Sequence, residues 1–369
     1  MTVRVSKPAF NLREKVTELD RPVGLHGNEI LKSETPQDTF DLVGTGRKNL
    51  VINGGMSVSQ RHGTSETTPG HTDFGPDRMR FDVSQSSKFK VQQVTDAPAG
   101  FSHSMKVTSL SAYSSGSSDY FLLQNMIEGT DSARLRWGTS EAQTITLSFY
   151  VKSSLVGVYA CGIRNNPYNR ANTQIYTINN ANTWERKTVT FTGDTSGSWN
   201  VDTNAGLKLN FDLGSGSNFQ AASTGTWLAT NDFITSDSVK VVGTNAATWY
   251  ITGIQLETGS LSTPFEHHAI TDELALCQRY YWKLDDGSNQ AGAQWLYVIG
   301  DGGNMQYRRA TVNHPVPMRG SPSVTNISLS NNGSTVGVQF NGNHTTTIYA
   351  NGIGGGITEV TYAEFNVEL

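Results

Sequence analysis

Three runs of alternating apolar and polar residues between Gln143 and His268 constrain the fold more than any other feature of this chain. They are Ile145–Lys152, Thr183–Phe191 and Thr248–Glu257. Because successive side chains of a strand point to opposite faces, each run buries one face and leaves the other wet. Loops rich in Gly, Asn, Ser and Thr separate the runs, without a long helical pattern. This arrangement predicts an antiparallel β-sandwich.

Composition supports a mainly β chain with more than one core. The 369 residues are enough for two or three domains, and only 16% of them are charged. We predict a mainly β fold in four parts: a short helical N-terminal segment, a jelly-roll β-sandwich, a linking helix and a C-terminal β-sandwich. The predicted boundaries are residues 1–48 for the N-terminal attachment and oligomerisation segment, 49–268 for the jelly roll, and 269–369 for the linking helix with the C-terminal β domain.

The N-terminal segment carries more apolar side chains than it can cover. Asn11 and Thr35 are candidate N-caps of two short helices, which cannot bury a core alone. We therefore expect a homotrimer organised from this segment; the alternative is that it folds back onto its own sandwich and leaves a monomer. The apolar positions are Val3, Val5, Phe10, Leu12, Val16, Leu19, Ile30, Leu31, Phe40, Leu42 and Val43.

The strongest helical pattern covers Ile270–Leu284. Thr271 is a plausible N-cap, followed by acidic residues in the first turn. After this linking helix, Trp295–Ile299 and Met305–Val312 flank the turn-like run Gly300–Asn304, which predicts a hairpin.

Several classes of function lack support in the sequence. A net charge of −4 and scattered basic residues indicate no nucleic-acid partner. No apolar stretch reaches the length of a membrane span, and the start of the chain has no secretory-signal pattern. Cys161 and Cys277 form neither a disulfide framework nor a metal spacing, so we expect buried thiols. His62, His71 and Asp73 are irregularly spaced, which favours a solvated loop over a metal site.

Catalytic patterns are also missing, so we expect no enzyme, no catalytic residues and no cofactor. Glycan hydrolysis needs two facing carboxylates, and the candidates lie in loops or on wet strand faces without a recognisable motif. They are Glu185, Asp194, Asp202, Asp212, Asp232 and Asp237.

Aromatic residues on predicted loops are the better candidates for function. Sugars stack on aromatic faces while neighbouring polar groups bind their hydroxyls. Tyr168, Trp199 and Trp227 lie on predicted loops, and Arg170 is near the first of them. These four residues are the predicted glycan-binding set, although packing of the aromatic rings over a sandwich end is the competing interpretation. Two further tryptophans, Trp184 and Trp249, lie on predicted strands and are expected in the core.

Three runs of the chain resemble phage fibre and appendage modules, many of them from marine and cyanobacterial phages. They are Asn49–Arg61, Tyr250–Gly259 with the following Pro264–His267, and Glu273–Tyr281, in the order found in those proteins. The similarity spans residues 49–330. The central sandwich is also similar to carbohydrate-binding jelly rolls, through the strand that begins at Thr183-Trp184 and the closing strand Trp249–Glu257. No matched set of ligand residues carries over.

The resemblance implies a virion protein that is assembled in the host cytoplasm and released by lysis. The function expected from it is a tail fibre or fibre-like appendage that recognises a host-surface glycan, joined to other virion proteins through residues 1–48. A capsid decoration or head-fibre protein is the first alternative, and a polysaccharide depolymerase is the second. Membrane insertion is not expected.

Overall fold

The chain divides into two compact units, Met1–Lys48 and Asn49–Leu369. A computed structural model describes residues 47–285, 294–296, 308–329, 335–351 and 358–369, with four positions of the first unit (27 and 30–32). The two predicted N-terminal helices, one beginning at Asn11 and one at Thr35, lie outside the described residues. The prediction of a mainly β fold is confirmed by the strands of the second unit.

A six-stranded antiparallel sheet forms one layer of the first sandwich. Its spatial order is β1-β4-β9-β6-β7-β10. The strands are β1 (Arg80–Val83), β4 (Phe121–Glu128), β6 (Gly157–Arg164), β7 (Ala171–Ile178), β9 (Ala205–Asp212) and β10 (Trp227–Leu228).

A five-stranded antiparallel sheet packs on it as the second layer, in the order β2-β3-β11-β5-β8. Its strands are β2 (Phe89–Val94), β3 (Ser104–Ser109), β5 (Ile145–Ser153), β8 (Glu185–Phe191) and β11 (Thr248–Thr258). The three runs that predicted the sandwich become β5, β8 and β11, and they are neighbours in this one sheet. Alternate residues such as Phe149 and Trp249 are fully buried between the layers.

Helical structure in the described residues is short. Helix α1 covers Gly129–Ser132, helix α2 covers Ile270–Gln278, and single 3₁₀ turns cover Ala133–Leu135, Ser217–Phe219 and Val241–Gly243. The prediction of a helix as far as Leu284 is wrong in its second half, because Tyr281–Asp285 is strand β12, which pairs with β18 (Thr358–Asn366). A distant partner strand, which local periodicity cannot reveal, ends the helix.

The C-terminal strands form a second sandwich of two small sheets. Around β18 lie β12, β13 (Gln294–Leu296) and β15 (Ser323–Leu329); the other sheet has the order β14 (Arg308–Asn313), β17 (Thr345–Asn351) and β16 (Thr335–Asn341). Both sheets contribute to one core that includes Trp282, Ile348 and Phe365. In the described parts of the two runs, β13 pairs with β18 and β14 pairs with β17, each along one edge, and the hairpin between the runs stays a prediction. Its turn lies outside the described residues.

Arginine side chains join the two sandwiches. Arg78 is buried, forms an ion pair with Glu368 and lies with its guanidinium carbon 3.5 Å from the centre of the Tyr280 ring. Arg61 lies 3.6 Å from the Tyr281 ring centre and pairs with Glu368 at 3.3 Å. These contacts hold the C-terminal sandwich in a defined position on the first one.

Candidate functional site

A cleft of about 280 Å³ lies on the outer face of the six-stranded sheet. This face points away from the five-stranded sheet, because the alternating residues Phe81, Leu123 and Leu209 occupy the core between the layers. Strands β1, β4 and β6 form its floor, and the loops around residues 71, 168 and 219–233 form its rim. Its walls are Leu122, four aromatic residues, one asparagine and four ionisable residues. They are His71, Arg80, Asp82, Tyr120, Leu122, Arg164, Tyr168, Phe219, Asn231 and Phe233.

The polar floor of the cleft is buried and built from amides around one arginine. Arg164 on β6 is only 3% exposed. Its Nη1 donates to Asn231 Oδ1 at 2.7 Å and its Nη2 donates to Asn210 Oδ1 at 2.9 Å, while its Nε has no partner among the described residues. Gln124 Nε2 donates to the same Asn210 oxygen at 2.7 Å, and Gln124 Oε1 is left without a described partner. Burial of such groups is costly unless each one is hydrogen-bonded.

Lys208 on β9 adjoins the cleft through the ring of Tyr168. Its ammonium nitrogen lies 3.7 Å from the centre of that ring, and the side chain is 4% exposed. Burial, together with the positive charges of Arg164 and Arg80, lowers the pKa of Lys208 to about 8. Neither Lys208 nor Arg164 forms an ion pair with a carboxylate in the described part of the chain. The sheet therefore carries two buried cations whose neighbours are amides and rings.

Asp82 is the single carboxylate on the described wall of the cleft. Its Oδ1 lies 3.2 Å from His71 Nδ1 and 3.9 Å from Arg80 Nη2. Arg80 also donates to the carbonyl oxygen of Leu369 at 3.4 Å. One acidic group thus faces three cationic side chains, Arg80, Arg164 and Lys208.

The turn between β6 and β7 places Tyr168 on the rim. The Asn165 side-chain oxygen accepts hydrogen bonds from the backbone N–H groups of Asn169 at 3.0 Å and Arg170 at 3.1 Å. Tyr168 adopts a left-handed backbone conformation, with a φ of 57°. That conformation is uncommon for a residue other than glycine, and here the Asn165 bonds hold the turn. The half-buried Tyr168 ring contacts Arg164 as well as Lys208.

Trp199 and Trp227 belong to a different place, at one end of the sandwich. Together with Trp137 they form a cluster whose ring centres are 4.7–5.4 Å apart, and both pack on the main core. Trp199 and Trp137 line a second concavity of about 470 Å³. Their indole N–H groups donate to protein oxygens within this end of the sandwich. Tyr168 alone of the four predicted residues lines the cleft on the sheet face.

Arg170 has a partner inside the protein. Its Nε and Nη2 donate to the two carboxylate oxygens of the buried Asp194 at 2.8 and 2.5 Å. Such two-pronged pairs are strong and directional. The Arg170 guanidinium therefore stabilises the loop that follows β8, next to Trp199.

Other predicted positions are spread over the molecule. Three of the carboxylates that were weighed as a hydrolytic pair have separate local partners: Glu185 binds Lys187, Asp202 binds Asn204, and Asp212 accepts from the backbone of Gly214 and Ser215. The prediction of a wet strand face is wrong for Asp212, which is buried at the end of β9. Among the described residues, no group of three or more His, Cys, Asp or Glu could hold a metal ion, and no helix is long and apolar enough to cross a membrane.

The tryptophan and cysteine predictions are tested by burial. Cys161, Cys277 and Trp249 are buried, as predicted. The prediction that Trp184 lies in the core is wrong, because its ring is only partly buried. It packs against Tyr250, which lies on the outer face of β11, since the residues on either side of Tyr250 face the core.

Most residues of the cleft were missed by reasoning from the sequence. Lys208 and Arg164 lie on the sheet face opposite the core, where Asn231 and Phe233 contact Arg164 and the Tyr168 ring contacts Lys208. The sequence did contain a signal for these residues, because β6 and β9 each place a basic residue on the face opposite the core. Using it required knowledge that β9 lies between β4 and β6, a pairing of residues far apart in the chain.

Comparison with known proteins gives only distant similarities. No protein-family model matches the chain, and no curated protein sequence matches it. Among solved structures, the enzymatically active domain of bacteriophage CBA120 tailspike protein 4 matches 57% of this chain and 21% of its own, with 14% identity and a TM-score of 0.29. The family 11 carbohydrate-binding module of a Clostridium thermocellum cellulosomal cellulase matches 56% of this chain and 99% of its own, with 14% identity and a TM-score of 0.27. An arabinose-bound α-L-arabinofuranosidase matches 65% of this chain and 31% of its own, with 12% identity and a TM-score of 0.32.

Proposed function

We propose that this chain binds a glycan of a host cell surface, without a catalytic step, in the cleft on the six-stranded sheet. The observation that carries the proposal is the composition of that cleft. Four aromatic rings, Tyr120, Tyr168, Phe219 and Phe233, surround polar groups that can bind hydroxyls. Sugars are held by this combination of ring faces and directed hydrogen bonds. The small volume suits a short saccharide segment.

Binding without hydrolysis is proposed because the described cleft wall has one carboxylate, whereas most glycosidases use two. The alternative, a polysaccharide depolymerase, predicts new reducing ends when the protein is incubated with host surface polysaccharide. Their absence, with binding retained, supports a binding protein.

The biological setting is proposed from the sequence. Similarity of residues 49–330 to phage fibre and appendage modules supports a tail fibre or fibre-like appendage in the virion, joined to other virion proteins through residues 1–48. A capsid decoration protein would be present in hundreds of copies on the shell, and a fibre in tens at the tail. The proposal includes a homotrimer, which would give weak single sites avidity. Light scattering at the mass of one 40.1 kDa chain would overturn the trimer.

A glycan array with paired variants tests the proposed site. Tyr168→Ala removes a ring from the cleft rim and should weaken binding about tenfold, the size expected for loss of one stacking contact with its polar neighbours. Tyr250→Ala is the matched control, because this tyrosine also lies near two cationic side chains, here two lysines, but on the five-stranded sheet. Trp199→Ala tests the second concavity. Loss of binding with Trp199→Ala and retention with Tyr168→Ala would move the site to the sandwich end.

A further inference from the structure

We infer that the saccharide recognised by the cleft is acidic, carrying a carboxylate or a sulfate group. This inference rests on the proposed glycan-binding function and specifies the class of ligand. Arg80 on β1 and Arg164 on β6 line the cleft, and Lys208 on β9 adjoins it behind the Tyr168 ring. Only Asp82 opposes them on the described wall.

Strand register explains why these charges are close together. Lys208 lies directly opposite Arg164 in the β6–β9 pair, and Arg80 lies opposite Gln124, which in turn faces Asn210. Residues directly opposite in an antiparallel pair have Cβ atoms about 5 Å apart. Two like charges in such a pair oppose each other, and burial increases that cost.

A bound anion would offset the free-energy cost of burying these positive charges. Lys208 and Arg164 are 4% and 3% exposed, and neither forms an ion pair with a described carboxylate. Arg164 directs Nη1 and Nη2 to amide oxygens, and its Nε is buried without a described partner. Charge-assisted hydrogen bonds to an anionic group are about twice as strong as neutral ones. A neutral sugar would offer no comparable compensation.

The net charge of the chain means that an acidic saccharide can be attracted only where positive charges are concentrated, as they are at the cleft. At a formal charge of −4, the protein as a whole repels polyanions. Affinity for an acidic saccharide must therefore come from a local concentration of cations. The aromatic rim would contact the ring of the same sugar while the cations neutralise its acidic group.

Affinity measurements with three classes of polysaccharide test the inference on the full chain. Polygalacturonate supplies carboxylates, dextran sulfate supplies sulfates, and dextran and galactan are neutral. We expect tighter binding to one acidic polymer than to either neutral one, with an affinity that falls as salt is raised. Lys208→Met should weaken acidic binding about tenfold, the effect of losing one charge-assisted contact. Asp82→Asn should strengthen it, because it removes the opposing charge.

Lys106→Met is the matched control, since Lys106 is a partly buried lysine near a tyrosine ring on the other sheet. Equal effects of Lys208→Met and Lys106→Met would show nonspecific attraction and overturn the inference. Tyr168-dependent binding to a neutral polymer, with no preference for acidic ones, would overturn the inference and keep the proposed function. No binding to any of the four polymers or to the array would overturn both.

Discussion

Lys208 is a buried cation, and its burial should reduce the stability of the folded chain. Its ammonium is removed from water and faces Arg164 from β6 and Arg80 and Asp82 from β1, and it lies 3.7 Å from the centre of the Tyr168 ring. Removing a buried charge that lacks a partner relieves desolvation and repulsion. Met has nearly the same length as Lys and is apolar, so the site can accept it.

We expect Lys208→Met to raise the free energy of unfolding at pH 7 by about 1 kcal/mol. The pKa of Lys208 is about 8 in the folded chain and about 10.5 when unfolded. Between these values the unfolded state binds more protons, so stability of the natural chain should rise with pH from 8 to 10. The variant should lack that part of the rise, and urea unfolding at pH 7 and 9.5 measures the difference. Lower stability of the variant at pH 7 would show that Lys208 is a structural cation.

At the scale of elements, β11 brings together two runs that are far apart in the sequence. The strand has an irregular register between Thr252 and Gln255, where Gly253 has a φ of 62°. The run that begins at Asn49 packs against this irregularity. Asn49 donates from Nδ2 to the Ile254 carbonyl at 3.0 Å and accepts at Oδ1 from the Leu256 N–H at 3.0 Å. The runs Asn49–Arg61 and Tyr250–Gly259 are thus parts of one contact.

Replacing Asn49 by Ala should lower the free energy of unfolding by about 2 kcal/mol, because it leaves buried backbone groups of β11 without partners. The N–H of Val51 loses its acceptor as well. Thermal unfolding of the variant measures the loss. Asn313→Ala is the control, because Asn313 is an exposed strand asparagine of the C-terminal sandwich. A loss no larger than that of Asn313→Ala would mean that other contacts hold the bulge.

Local patterns predicted elements well and their partners poorly. Alternation located β5, β8 and β11 because apolar residues at every second position of each strand face the core. The prediction that the opposite face is wet is wrong for β5 and β11, where most polar side chains of that face are buried as well. Alternation could not locate the cleft, because Asn231 and Phe233 reach Arg164, and Tyr168 reaches Lys208, from distant parts of the chain.

Helix periodicity located α2 from Ile270, but the predicted N-cap is wrong, because Thr271 lies inside the helix and Ala269 caps it. The end of α2 was also missed, because it depends on the pairing of Tyr281 with β18. Pairing between distant strands is decided by the whole fold and leaves little trace in a short window.

At the scale of the whole molecule, Glu368 connects the two sandwiches. Its carboxylate binds the buried Arg78 and the nearly buried Arg61 of the jelly roll. Arg279, just after α2, adds a pair with the buried Glu128, with contacts of 3.1 and 2.9 Å. Loss of one partner leaves a buried charge uncompensated, which costs about 3–5 kcal/mol.

Glu368→Ala should therefore separate the unfolding of the two sandwiches. We expect calorimetry to show a C-terminal transition at a lower temperature than the jelly-roll transition, in place of coupled unfolding. Glu141→Ala is the control, because its pair with Arg136 is exposed and contributes little. A single unshifted transition in Glu368→Ala would mean that apolar contacts alone couple the sandwiches.

The position of β18 in its sheet has a consequence for the order in which the chain is made. It is the last strand of its sandwich to be synthesised, yet it pairs with β12, β13 and β15. The jelly roll has all its strands once β11 leaves the ribosome, roughly a hundred residues earlier, and domains generally fold as units in the order of synthesis. Until β18 emerges, three strands that need it have open edges, and such edges invite pairing with other chains. Ribosomes that stop within this last stretch would release a finished jelly roll attached to an aggregation-prone remainder, which proteases of the cell can remove.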